Sequence, residues 1–147
     1  MAGPATGAAP RPRKARTRAT RVLIDTHVFL WWLADDPALS TRARNCLSDS
    51  STAVLFSAAS GWELAFKSSA GRLEVRGPLE RFVTEELAAN RMEVLPVALG
   101  HAMRVASLPW HHRDPFDRLL VAQALVERIP LVTADRALRR YGVEILW

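Results

Sequence analysis

The chain reads as one α/β domain, a central mostly parallel sheet covered by helices. Short apolar runs such as Val22–Ile24, Ala53–Phe56 and Leu131–Val132 alternate with stretches of helical spacing, the pattern of a parallel sheet. With 147 residues, 49% of them apolar, the chain has enough material for one hydrophobic core. Neither an internal repeat nor an inter-domain linker interrupts residues 21–147.

Taken in order, Val22–Asp25 is a first buried strand, and Thr26 is placed to cap a helix through Leu33 that Asp36-Pro37 closes. A second helix spans 40–48, starting at Ser40 or Thr41. Ala53–Ser57 is a strand, followed by a helix over 59–69 that stops at Gly71. Pro78 suits the first turn of a helix reaching Asn90. Glu93–Val97 forms a short strand and Leu99–Ser107 a helix. The best-marked element begins with Asp114 as N-cap, Pro115 in the first helical position and Asp117 in the first turn. Leu119, Leu120, Ala122, Val126 and Ile129 continue it at helical spacing until Pro130. Leu131–Thr133 is a buried strand, Asp135–Tyr141 a short helix ended by Gly142, and Val143–Leu146 a last strand.

Charge excludes less than it first suggests. The net charge is +5, yet Arg11, Arg13, Lys14, Arg16 and Arg18 supply all of the surplus, so residues 21–147 are formally neutral. Nucleic acid bound by the domain must therefore meet a local patch or a metal rather than a basic surface. Residues 1–20, rich in Ala, Pro, Gly, Thr and Arg, are expected to be a disordered basic tail or the product of an upstream start. They lack the apolar segment of a secretory signal and the apolar face of a transit helix. Cys46 is the only cysteine, which excludes an internal disulfide and a thiolate zinc site and fits a reducing cytoplasm. No apolar run approaches the roughly 20 residues that span a bilayer, so no membrane is expected.

The chemistry-bearing residues are acids at element ends. Asp25 and Asp135 each follow a strand, on the edge where open parallel sheets bind ligands. Each acid also has an ordinary explanation. Asp25 suits a strand-end turn, Asp135 a helix cap and Asp114 an N-cap. Glu63 has Lys67 at i+4 as a surface partner, and Asp117 faces a favourable helix dipole. Their conjunction changes the balance. Two carboxylates about 5 Å apart repel by about 3 kcal/mol at an effective dielectric near 20. Three or four in one place would raise one another's pKa values unless a divalent cation sat among them. Hard oxygen ligands suit Mg²⁺ or Mn²⁺, and such a site supports phosphodiester hydrolysis. Spacing alone does not show that the acids converge.

Ile24-Asp25-Thr26-His27 running into Phe29-Leu30-Trp31-Trp32-Leu33 resembles the opening of a PIN-domain ribonuclease, in particular the VapC-type toxins of type II toxin–antitoxin modules. Ser57-Ala58-Ala59-Ser60-Gly61-Trp62-Glu63-Leu64-Ala65-Phe66-Lys67 resembles the family's second acidic block. His112-Arg113-Asp114-Pro115-Phe116-Asp117-Arg118-Leu119-Leu120 is similar to its third block, and Leu131-Val132-Thr133-Ala134-Asp135 to its fourth. The ordered set covers residues 21–147, and the resemblance implies a PIN-like three-layer α/β/α domain there.

It further implies that Asp25, Glu63, Asp117 and Asp135 are the catalytic acids and that Asp25 and Asp117 are the direct metal ligands. Asp114 is left as a helix cap or an auxiliary of the site. The implied activity is endonucleolytic cleavage of RNA with Mg²⁺ (or Mn²⁺), by metal-activated water. The implied partners are an RNA substrate, a cognate VapB-like antitoxin and a second copy in a homodimer. Adjacent Trp31 and Trp32 point about 100° apart on a helix, which is hard to bury in one small core and adds modest support for a partner.

Other residues are set aside. His111 and His112 lack zinc spacing, and carboxylates already satisfy a hard ion, so a loop role is favoured, with RNA contact through Trp110 and Arg113. His27 is read as a helix-start residue rather than a general base. A phosphorelay receiver would need a lysine after a late strand, but the only lysines are Lys14 and Lys67. A haloacid-dehalogenase-type phosphatase would want an acid where His27 stands, and a dinucleotide-binding domain would need glycines after the first strand. The remaining rival is a PIN-like module that binds RNA or protein without cutting.

Overall fold

The computed structural model describes residues 20–147. The expected basic tail therefore falls outside the described residues except for Thr20, which opens the first strand. The strands are β1 (Thr20–Ile24), β2 (Thr52–Ser57), β3 (Glu93–Leu95), β4 (Leu131–Val132) and β5 (Ile145–Leu146). The α-helices are α1 (Thr26–Leu33), α2 (Thr41–Ser48), α3 (Ala58–Ser69), α4 (Leu79–Ala89), α5 (Leu99–Arg104) and α6 (Pro115–Glu127). Two 3₁₀ helices, Val105–Ser107 and Arg136–Tyr141, complete the set.

All strand pairs are parallel, in the order β3-β2-β1-β4-β5. Ile24 lies beside Phe56 on one side and Val132 on the other, so the carboxyl ends of the three central strands are flush. Side chains alternate between two faces, as the period of a strand requires. Leu23, Leu55 and Leu131 pack with α6 residues Leu120, Val121 and Ala124. Val22, Ile24, Val54, Phe56 and Val132 pack with Val28 and Phe29 of α1, Leu47 of α2 and Leu87 of α4. The sheet is thus the middle of three layers, as the resemblance implied, and the expected "mostly parallel" sheet is wholly parallel among the described residues. No helix there is long and apolar enough to cross a membrane.

Several ends differ from expectation. The cap of α1 is Asp25, whose Oδ1 accepts the Val28 amide at 2.8 Å, while Thr26 is the first helical residue. β3 stops at Leu95 because Pro96 has no amide to continue the ladder. The expected helix over 99–107 tightens to 3₁₀ at Val105, and Arg136–Tyr141 is 3₁₀ throughout. α6 ends two residues early, with Arg128 in the left-handed region (φ 55°), ahead of Ile129-Pro130. Trp31 and Trp32 both find internal packing: Trp31 meets the Trp147 ring at 5.9 Å, and Trp32 Nε1 donates to Asn90 Oδ1 at 2.9 Å.

Candidate active site

Three segments leave the sheet side by side at its carboxyl edge. β1 leads directly to Asp25, β2 to the start of α3, and β4 to Thr133-Ala134-Asp135. The edge is locked by short bonds. Thr133 Oγ1 donates to Asp25 Oδ2 and accepts the Asp135 amide at 3.1 Å. Ser57 Oγ accepts the Ala59 amide at 3.0 Å and so caps α3, which carries Glu63 one turn further on. The fourth contribution comes from α6, whose amino end points into the same edge. Asp114 Oδ1 accepts the Phe116 and Asp117 amides at 2.8 and 3.3 Å, Pro115 presets the first turn, and Asp117 projects from it.

Asp25, Asp117 and Asp135 line one cleft of about 270 Å³ together with His27, Trp31 and Ala134. Glu63 is not at the cleft surface. It is 5% exposed and pairs with Lys67 Nζ at 3.0 Å, so the expected i,i+4 partner is real but the pair is largely buried rather than superficial. Glu63 nevertheless lies close enough to raise the pKa of both Asp25 and Asp117. A larger hollow around Arg76 and Pro78 gathers no such set of acids.

Electrostatics single out two residues. Burial pushes the Asp25 carboxyl above the usual range, against the hydrogen bonds from Thr133 and Val28 that favour its charged form. Asp117 is pushed up to about 7, first by burial and then by the negative charge of Asp114, with Asp25 and Glu63 adding and His112 opposing. A carboxyl that keeps its proton near neutrality because it is buried among other carboxylates is the condition a divalent cation relieves. The donor set is oxygen-rich and partly open to solvent, which fits Mg²⁺ or Mn²⁺. Asp25 and Asp117 face the same cleft, and their carboxylates could hold such an ion.

The two remaining acids carry structural duties as well. Asp135 Oδ1 accepts the Ala137 amide at 3.0 Å and caps the last 3₁₀ helix, and Asp114 caps α6. Sequence reasoning passed over two neighbours. His112, set aside as a loop residue, has Nε2 at 3.1 Å from Asp135 Oδ2 and 3.5 Å from Asp117 Oδ2. Arg118 is 3% exposed and donates to the carbonyls of Pro109, Val105 and Leu108 and to the Tyr141 hydroxyl. Its guanidinium lies 4.0 Å under the Trp110 ring, so the indole proposed for RNA contact already stacks on one side while 81% of the residue stays exposed. A signal for His112 existed in its position two residues before Asp114, but only the fold of the 109–114 loop turns that ring into the site.

The family model for the PIN domain matches residues 22–144. Ribonuclease VapC22 of Mycobacterium tuberculosis is 30% identical over 123 residues, spanning 83% of this chain and 92% of that protein. Among solved structures, VapBC2 from Rickettsia felis, bound to a DNA fragment from its promoter, superposes with a TM-score of 0.64 at 14% identity, over 86% of this chain and 97% of the other. VapBC-1 from nontypeable Haemophilus influenzae gives 0.60 at 14% identity, over 86% and 96%. The flush parallel edge, the four acid-bearing segments in their chain order and this match along nearly the whole described length agree: the chain belongs to the PIN-domain family.

Proposed function

We propose that this protein is a divalent-metal-dependent endoribonuclease and the toxin of a type II toxin–antitoxin pair, working in the cytoplasm. The observation that carries the reading is the meeting of Asp25, Asp117 and Asp135 at one cleft, with Asp117 raised to about 7 by burial and by its acidic neighbours. Asp25 and Asp117 would hold Mg²⁺ or Mn²⁺. When bound, such an ion supplies charge neutralisation for a phosphodiester and lowers the pKa of water.

The chain's own residues set up that chemistry. Thr133 and the Val28 amide orient Asp25 from behind, so its remaining lone pairs face the cleft. Asp117 has no backbone amide bonded to its carboxylate among the described residues, which leaves it the most available of the acids. Glu63, held by Lys67, adds negative charge behind both and strengthens their pull on a cation. Trp31 and His27 line the cleft with aromatic rings of the kind on which an unpaired base stacks.

The similarity to a ribonuclease of the VapC group supports RNA as the substrate. The VapBC complexes among the structural relatives support a VapB-like antitoxin as partner, and the family resemblance supports a homodimer. The test is direct. Purified protein with Mg²⁺ should cut RNA, and chelation should stop it. Asp25→Asn should lower the rate at least 100-fold, on the order expected when an electrostatic group of the site is removed, with an unchanged circular dichroism spectrum. Equal cutting by the two proteins would mean a contaminating nuclease and end the proposal.

A further inference from the structure

We infer that His112 is an additional positioning residue of this site, a hydrogen-bond donor to Asp135 beside Asp117 rather than a metal ligand; the inference rests on the nuclease reading above and assigns a residue outside its four acids. At first sight the opposite is attractive. His112, Asp117 and Asp135 offer one ligand atom each, all within 4.8 Å of one another, which is a plausible nitrogen-and-oxygen cage.

The far side of the ring decides between the two. The Asp114 amide donates into His112 Nδ1 at 3.1 Å. That bond needs a lone pair on Nδ1, and a neutral imidazole has only one bare nitrogen. The ring proton therefore sits on Nε2, the atom aimed at Asp135 Oδ2 and Asp117 Oδ2 at 3.1 and 3.5 Å. A nitrogen that carries a proton donates; it does not coordinate. The main chain that presents the ring is held as well. The His112 amide donates to the Tyr141 hydroxyl at 2.8 Å, and the same oxygen accepts Arg118 Nη1 at 3.2 Å. Arg118 in turn holds the carbonyl of Pro109 at 2.8 Å, pinning the loop that presents His112.

The consequence falls on Asp135. Its Oδ1 is taken by the Ala137 amide and its Oδ2 by His112, so the carboxylate is fixed from both ends. His112 thereby sets the direction of the fourth acid, and its protonated Nε2 lies 3.5 Å from the Asp117 carboxylate. Asp135 keeps its lone pairs toward the cleft without having to be held by the ion.

The deciding measurement is a long-range ¹H–¹⁵N correlation spectrum of the full-length ¹⁵N-labelled protein, recorded with chelator and then with Mg²⁺. The His112 signals are identified by their loss in His112→Gln. The expected pattern is a bare Nδ1 and a protonated Nε2 in both spectra. A protonated Nδ1 in the free protein, or a switch to it on adding Mg²⁺, would overturn the inference. Kinetics supply the second arm. His112→Ala should lower kcat by about 10- to 100-fold, the usual effect of losing a group that orients a ligand. The preference between Mg²⁺ and Mn²⁺ should not move, and His112→Gln, which keeps an N–H donor, should recover part of the loss. An unchanged kcat in His112→Ala, or a shifted metal preference, would count against the donor role. If wild-type protein cut no RNA at all, the nuclease reading would fail, while the free-protein spectrum would still decide which nitrogen carries the proton.

Discussion

Asp117 and Arg118 are adjacent in sequence and opposite in design. Asp117 is a carboxyl whose charge is unwelcome in the free protein, held up to about 7 against an ordinary value of 3.8. Between those values the folded state binds a proton that the unfolded chain has released, so stability falls as pH rises through that window. Metal-free protein should accordingly resist urea better at pH 5 than at pH 7.5. Asp117→Asn should flatten this slope, and a slope unchanged in that variant would show that Asp117 is not its source. Asp25, shifted in the same direction by burial, leaves part of the slope in place. Arg118 instead has its charge well met. Three backbone carbonyls and a hydroxyl surround its guanidinium, and no carboxylate lies within ion-pair distance among the described residues. Arg118→Met should cost about 3 kcal/mol in urea unfolding, because hydrogen bonds to a charged donor are lost and their buried acceptors are left bare. Arg118→Lys should not restore it, since an ammonium cannot replace the planar fork. The two residues also differ in legibility. Asp117 stood out in the DPFDR block, whereas nothing in the sequence told Arg118 from a surface arginine, since its partners are carbonyls of a loop up to thirteen residues upstream.

Helix starts do two jobs in this molecule, and α6 shows the conflict between them. Asp114 closes the amino end of α6 through two amides, a bond pattern whose loss costs about 1 kcal/mol. Its charge is also the largest single electrostatic contribution to the raised pKa of Asp117. Substitution separates the two roles. Asp114→Ser keeps a capping oxygen and removes the charge, so stability should hold while the Asp117 carboxyl drops toward its ordinary range. Asp114→Ala should produce the same drop and lose about 1 kcal/mol as well. Carboxyl ¹³C titration reads the first effect and urea denaturation the second; equal stability of the two variants would remove the cap from the explanation. At this scale the sequence was most readable where local chemistry decides the outcome. Asp114-Pro115 at α6, Ser40 at α2 and Gly142 after the last 3₁₀ helix, at φ 80°, all act where they were expected. It was less readable where tertiary packing decides. Asp25 rather than Thr26 caps α1, because Asp25 is fixed by Thr133, 108 residues away in the chain.

Folding brings to one edge four negative segments that are distant in sequence, and that sets the last expectation. The apolar core sits on both faces of the sheet, with Leu23 and Leu131 fully buried on one and Ile24 and Val132 on the other. The sheet's strand order and the convergence of the acids were not derivable from hydrophobic spacing, because periodicity reports which face a residue takes and not which strand lies beside it. Only the ordered family blocks carried that information. Since the frame forces Asp25, Glu63 and Asp117 together while the unfolded chain keeps them apart, a divalent cation should bind the native state far better than the unfolded one. At about 100 times its dissociation constant, such an ion contributes about 2.7 kcal/mol. For a chain of this size that is a rise in Tm on the order of 5–10 °C. Calorimetry of wild-type protein in chelator and in Mg²⁺ measures it. In Asp117→Asn the chelated protein should start higher, as repulsion is relieved, and gain little from Mg²⁺. The same Mg²⁺ gain in that variant as in wild type would place the ion elsewhere, and with it the chemistry assigned to this edge.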